Sequence, residues 1–316
     1  MKLSIIIPTF NRAKLLTEAI ESILNQNPPV YEVVIADDGS NDDTQSLCAE
    51  WQKLESPTRI LVTRSENNRG SQVSRNRGIN TATGDYFLFM DSDDVLAENA
   101  LLPLLSELEE DINLDYVYGQ VIIVNSQLQP LNHTEPIGSA FADIPREIAG
   151  YHWHTMAAIY RRSYIQKVGF WDEKLTGSQD WEFQARVKMT GGKGKFVKHL
   201  VGLWRDHTGG RVGTKSFRYD YVQSVIDACV LIKDKAMQLN LIDSALEARL
   251  ARKILVHALE FSVHDLYLER NKSVEMTMAM LNKNLLMRFV VYLWYLLPVK
   301  FDHIILWFLQ FRIKHG

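Results

Sequence analysis

Three aspartates, Asp91, Asp93 and Asp94, close the stretch FLFMDSDDVL, with only Ser92 between the first two. Carboxylates that close raise each other's pKa unless a cation or several donors compensate, and hard divalent ions such as Mg2+ or Mn2+ prefer carboxylate oxygens. The cluster reads as a metal site or as an Asp-rich turn in which Asp94 caps a helix over residues 95–108. Two other polar groups also follow apolar runs. Pro8-Thr9-Phe10-Asn11 comes after residues 3–7, and Asp37-Asp38-Gly39-Ser40 after residues 32–36. Asp, Gly and Ser are ordinary turn and cap residues, so the second group alone stays open between a turn and a ligand site.

The elements that must position these groups follow from periodicity. Apolar runs of strand length at residues 3–7, 32–36, 60–63 and 86–90 alternate with helical spacing over residues 13–24, after Asn41-Asp42-Asp43-Thr44, and near residues 72–82. Such alternation predicts a parallel sheet covered by helices on both faces, with ligands beyond the carboxyl ends of the strands. The three polar groups all fall at such ends and should converge.

Five stretches in order, SIIIPTFNR, VVIADDGSNDDT, SRNRGINTATGDYFLFMDSDD, VGFWDEKLTGSQDWEF and LWRDH, resemble the motif series of the family 2 glycosyltransferases over residues 2 to about 210. The resemblance implies a glycosyltransferase A-type nucleotide-diphospho-sugar transferase fold, α/β with a mostly parallel sheet, plus a C-terminal helical region. It implies a catalytic domain over residues 1–215, divided into a nucleotide-sugar-binding half (1–114) and an acceptor and catalytic-base half (115–215), with a helical region at 216–316. It assigns Pro8, Thr9 and Asp38 to the nucleobase pocket, and Asp37 and Ser40 to its neighbourhood. Arg75 and Asn76 go beside the pyrophosphate, where a guanidinium fork suits phosphate oxygens; Arg69 and Arg77 read equally as solvated charges. Asp91 goes to the donor ribose or sugar and Asp93 to a Mn2+ or Mg2+ ion on the diphosphate, with Asp94 orienting them.

Transfer of a sugar to a hydroxyl with inversion needs a positioned base, and the resemblance places it at Asp180 in GSQDWE, at the start of a helix over residues 181–189. Gln179 stands where the family commonly has Glu. A helix cap is the plain alternative for Asp180, and Glu182 is a rival base. His207 in LWRDH is expected to complete the metal sphere or donate to phosphate, with Arg211 nearby. His152 and His154 alternate around Trp153, a period that puts both on one strand face, for acceptor contact or packing rather than metal. The implied activity is metal-dependent, inverting transfer from a nucleoside diphosphate sugar to a glycan or lipid-linked glycan. A polyprenyl-phosphate sugar synthase and a non-catalytic nucleotide-sugar binder are the alternatives.

Composition agrees with a folded enzyme and excludes other classes. In 316 residues, 46% are hydrophobic, and 35 basic against 38 acidic residues leave a net charge of −3, which gives no case for nucleic acid. No G-x-G-x-x-G follows the first strand, against a dinucleotide-dependent oxidoreductase. Two cysteines, Cys48 and Cys229, make neither a disulfide framework nor a zinc site, and the amino terminus lacks signal-peptide features, so a cytoplasmic setting is expected. Beyond residue 217 the pattern is helical, with long segments at 221–237 and 241–267. Residues 289–299 and 304–311 are apolar runs below the roughly 20 residues of a membrane span. Between Lys283 and Gly316, five Lys or Arg face one acid, Asp302, with Tyr292, Trp294, Tyr295 and Trp307 among the apolar residues. That pattern describes a helix lying on the anionic inner face of the cytoplasmic membrane, or else a packing or dimer face.

Overall fold

The computed structural model describes residues 1–131, 148, 153–206, 219–263 and 267–281. They group into two compact units, one drawn from residues 1–142, 151–173 and 190–210 and the other from 143–150, 174–189 and 211–316.

The first unit is built on an eight-stranded sheet in the order β3-β2-β1-β4-β7-β6-β8-β5. Strands β1 (Leu3–Thr9), β2 (Glu32–Asp37), β3 (Arg59–Arg64) and β4 (Tyr86–Phe89) pair in parallel. Every residue of β1, β2 and β4 is buried, which is why they read as apolar runs rather than alternating ones. Helices α1 (Ala13–Leu24), α2 (Thr44–Trp51) and α3 (Ser71–Thr81) connect them, as their spacing predicts. Helix α3 crosses close to β1: a Cβ at Gly78 would lie 2.4 Å from Ile6 Cγ2, so only glycine lets this helix seat there.

Beyond β4 the sheet turns mixed. Strand β5 (Val95–Leu96) pairs antiparallel with β8 (Gly194–Arg205), and helix α4 (Leu102–Glu110) starts only afterwards. The expected helix over 95–108 is therefore corrected: the backbone at Val95 and Leu96 finds a strand partner, and Asp94 caps no helix. Strand β6 (Tyr116–Val124) runs parallel to β8, and β7 (Ala158–Arg161) lies antiparallel between β4 and β6. Helix α5 (Arg162–Val168) follows β7. Trp153, fully buried, donates its indole N–H to Tyr160 at 3.0 Å and packs against Tyr116 and Tyr118. This aromatic block fixes the chain just before His154, which heads a short 3-10 helix (Thr155–Ala157) rather than lying in a strand; His152 lies outside the described residues.

The second unit is helical: α6 (Gln179–Met189), α7 (Tyr219–Gln238), α8 (Ser244–Val263) and α9 (Tyr267–Met280). Leu175, Trp181, Ala185 and Met189 share one core with Val222, Ile226 and Ile232 of α7 and Leu246, Leu250 and Ile254 of α8. Cys48 and Cys229 are buried free thiols on helices. No helix among the described residues is long and apolar enough to cross a membrane.

Candidate active site

Parallel pairing in the order β2-β1-β4 brings Asp38, Thr9 and Asp91 to the same end of the sheet. The Asp38 N–H donates to the Thr9 carbonyl at 2.9 Å, locking the two strand ends together. Gly39 follows with φ +85°, and a Cβ there would meet the Asn67 backbone at 3.1 Å, so the turn requires glycine. Asp38 Oδ2 accepts from the backbone N–H groups of Arg69 at 2.9 Å and Gly70 at 2.7 Å, holding the loop that enters α3. Its other oxygen, Oδ1, is buried without a hydrogen bond among the described residues, and so is Thr9 Oγ1. Desolvated polar atoms of this kind are costly unless a partner arrives. Asp37 and Ser40 instead maintain the turn: Asp37 accepts from the Ser40 N–H at 2.9 Å and pairs with Arg64.

Helix α3 buries Gln72, Arg75 and Asn76, polar side chains whose burial is costly unless they are bonded. Arg75 pairs with Asp91 and lies 4.5 Å from the centre of the Trp171 ring. The Asn76 amide donates to the Trp171 carbonyl at 2.9 Å and to Glu173 at 3.0 Å, and accepts from the Trp171 N–H at 2.9 Å. Asn76 thus fastens the tryptophan on which the Arg75 guanidinium rests. Of the two arginines that read as surface charges, Arg77 donates to the Asp37 carbonyl at 2.7 Å, whereas Arg69 is exposed near Glu173.

The acidic cluster is embedded among cations. Arg12 reaches the Asp93 carboxylate at 2.5 Å. The buried Arg205 donates to the Asp93 carbonyl at 2.9 Å and to Glu18 at 2.5 Å, while its backbone N–H donates to Asp94 at 3.1 Å. Burial pushes the Asp91 carboxyl up, yet the Arg75, His154 and Arg12 charges outweigh it and hold it below the usual carboxylate range. One oxygen each of Asp91 and Asp94 and one ring nitrogen of His154 lie within 4.8 Å of one another. Two carboxylate oxygens are donors that suit Mn2+ or Mg2+, and the imidazole adds a nitrogen donor of the kind that transition metals take. His154 is buried, packs tilted against Trp204 with ring centres 4.7 Å apart and stands 3.8 Å from Asp94. The sequence reading set this histidine aside because its signal, a histidine beside tryptophan, is also that of plain packing.

In the second unit, Asp180 opens α6, half-buried, and accepts its neighbour Trp181's N–H at 2.9 Å. Glu182, the rival base, is buried and held by Arg186 through two bonds of 2.5 and 2.8 Å, which leaves it poorly placed to take a proton. His207 and Arg211 lie outside the described residues.

Residues 4–169 match the sequence model of Glycosyl transferase family 2. An uncharacterized glycosyltransferase of Methanocaldococcus jannaschii is 28% identical over 185 residues, 58% of this chain and 63% of that protein. The GalNAc(5)-diNAcBac-PP-undecaprenol beta-1,3-glucosyltransferase of Campylobacter jejuni is 36% identical over 122 residues, 39% of this chain and 38% of that protein. The chain thus spans less than two thirds of either relative. The crystal structure of S. aureus TarS 1-349 in complex with UDP-GlcNAc superposes with a TM-score of 0.69 at 19% identity, over 89% of this chain and 82% of that one, a likeness of fold.

Proposed function

The chain belongs to Glycosyl transferase family 2, and from that premise we propose that it transfers a sugar, with inversion, from a nucleoside diphosphate donor to a hydroxyl of a glycan or lipid-linked glycan. The observation that best supports this is the pair of buried atoms at adjacent strand ends, Asp38 Oδ1 and Thr9 Oγ1. A carboxylate oxygen and a hydroxyl at neighbouring strand ends suit the N–H and carbonyl edge of a nucleobase, with Pro8 as a further wall of that pocket. The first half of a 1–215 catalytic region would bind the donor and the second half would present acceptor and base. The lipid-linked substrate in the name of the Campylobacter jejuni relative supports an acceptor of that class, presented at the inner face of the cytoplasmic membrane through the C-terminal segment.

Arg75, resting on Trp171, faces the diphosphate in this reading, Asn76 acts through that tryptophan, and Asp91 orients the donor ribose or sugar. A divalent ion would be held by Asp93 once Arg12 yields the carboxylate, with His207 completing the set. A second set, Asp91, Asp94 and His154, is favoured by the convergence of their donor atoms. The chemistry that a Mn2+ or Mg2+ ion would supply when held by either set is neutralisation of charge on the departing nucleoside diphosphate. Asp180 takes the proton of the acceptor hydroxyl as that oxygen bonds to the sugar's anomeric carbon.

The test is a thermal-shift screen of UDP, GDP and dTDP and their sugars with Mn2+ or Mg2+. A ligand bound by the native state at a hundred times its Kd adds about 2.7 kcal/mol of stability. One nucleotide should raise the melting temperature, more with metal than without; no shift from any of them removes the reading. Loss of the metal increment in His154→Ala, with the increment kept in Asp93→Asn, selects the second ligand set.

A further inference from the structure

Helix α8 brings Lys253 onto the helix that carries Asp180. The Lys253 ammonium lies 3.7 Å from the centre of the Trp181 ring. Trp181 is 3% exposed, and its backbone N–H is the one bound to the Asp180 carboxylate. An ammonium over an indole face is attracted by the ring's quadrupole, more strongly as water is excluded. Leu175, Ala185, Leu250 and Ile254 belong to the same core as Trp181, so the surroundings are apolar. Burial pulls the Lys253 pKa below the usual lysine value, while Cys229 and Asp180 act in the opposite direction. The Cys229 thiol on α7 is itself pushed up to about 12, chiefly by burial, so near neutral pH it is uncharged and Asp180 supplies the compensating charge. Among the other described charged groups, Arg249 and His257 lie one turn away along α8, and Glu182 on α6 is bound by Arg186.

We propose that Lys253 is a positioning residue for Asp180: by clamping Trp181, whose backbone N–H the carboxylate binds, and by setting a positive charge in that carboxylate's neighbourhood, it holds the first turn of α6 in one orientation toward the acceptor hydroxyl. Asp180 and helix α8 both lie beyond the residues matched by the family, and the proposal gives a C-terminal helix a part in orienting the base. The inference rests on the reading of Asp180 as base. Its leverage comes from geometry, since a misplacement of about 1 Å at a reacting group costs up to about 100-fold in rate.

The test uses the full chain and two readouts. Lysine amines are reductively methylated with a 13C label and titrated by NMR, the Lys253→Arg variant identifying the Lys253 signal. Asp180→Asn should move the Lys253 titration to lower pH, because the carboxylate that favours the ammonium is gone. An unmoved titration overturns the proposal whatever the substrate. The second readout is UDP release from UDP-glucose and UDP-N-acetylglucosamine with Mn2+. Lys253→Met should lower kcat about 10-fold with donor KM within about twofold, and Lys253→Arg should recover most of the loss. Wild-type kcat in Lys253→Met, or an equal loss in both variants, overturns it. Failure of the base reading looks different: Asp180→Asn would keep wild-type turnover while the Lys253 titration still shifts.

Discussion

At the scale of single residues, Asp93 and Asp180 are separable by what their loss removes. Asp93→Asn keeps the volume and withdraws the charge, so metal-dependent nucleotide binding and transfer should both disappear while the fold persists. Calorimetric titration of Mn2+ with nucleotide reads the first, and unchanged turnover removes Asp93 as a ligand. Asp180→Asn should lower turnover by about 10²–10⁴-fold with donor affinity nearly unaltered. Equal losses of donor affinity and turnover would make it a binding residue, and unaltered turnover would favour a phosphate acceptor, already ionised. The place of the aspartates was legible in the sequence because a buried apolar strand, Tyr86–Phe89, runs out just before them. His154 was not legible as a ligand candidate: its partners Asp91 and Asp94 are distant in sequence, and only the antiparallel seating of β7 beside β4 brings them together.

At the scale of elements, β1, β2 and β4 were readable because strands buried on both faces are mostly apolar, and α1 runs over the very residues its spacing marks. Val95–Leu96 misread as helix because apolar spacing over residues 95–108 fits a helix, and sequence does not reveal that β8 offers those two residues a partner. One polar contact ties the parallel elements at the end opposite the candidate site. Glu32, fully buried at the start of β2, accepts from Ser4 of β1 at 2.7 Å and from the Thr83 N–H at 2.5 Å and hydroxyl at 2.7 Å, just before β4. Burial pushes its carboxyl up, but these donors and the Gly84 N–H prevail and leave it below the usual 4.5. A carboxyl depressed in the folded state contributes stability above its unfolded pKa and loses it as pH falls through the folded value. Glu32→Gln should therefore cost about 2 kcal/mol at pH 7 in urea unfolding, with the gap to wild type closing only below about pH 4.5. A gap that stays constant into acid would mean that packing, not the charge, is what the substitution removes.

At the scale of the whole molecule, the proposed lipid-linked acceptor asks for a segment of the chain that meets a membrane. Residues 283–316 lie outside the described residues, so the argument is one of composition: five cationic side chains, one acid, and aromatic residues among apolar runs too short to span. Apolar burial and attraction to anionic lipid act together on such a segment, and only the second is screened by salt. Full-length protein should sediment with acidic vesicles more than with neutral ones, and raising salt should weaken that association without abolishing it. Truncation before Lys283 should release the protein and slow transfer to a lipid-linked acceptor, while transfer to a short soluble acceptor persists. The last contrast depends on Lys253 and Asp180 both preceding the cut, so that the truncated chain keeps the helices that carry them and loses only the proposed docking segment. A dimer face would give another result, a change of mass in solution with no vesicle dependence to lose. Equal partitioning of both chains onto acidic and neutral vesicles would end the membrane reading.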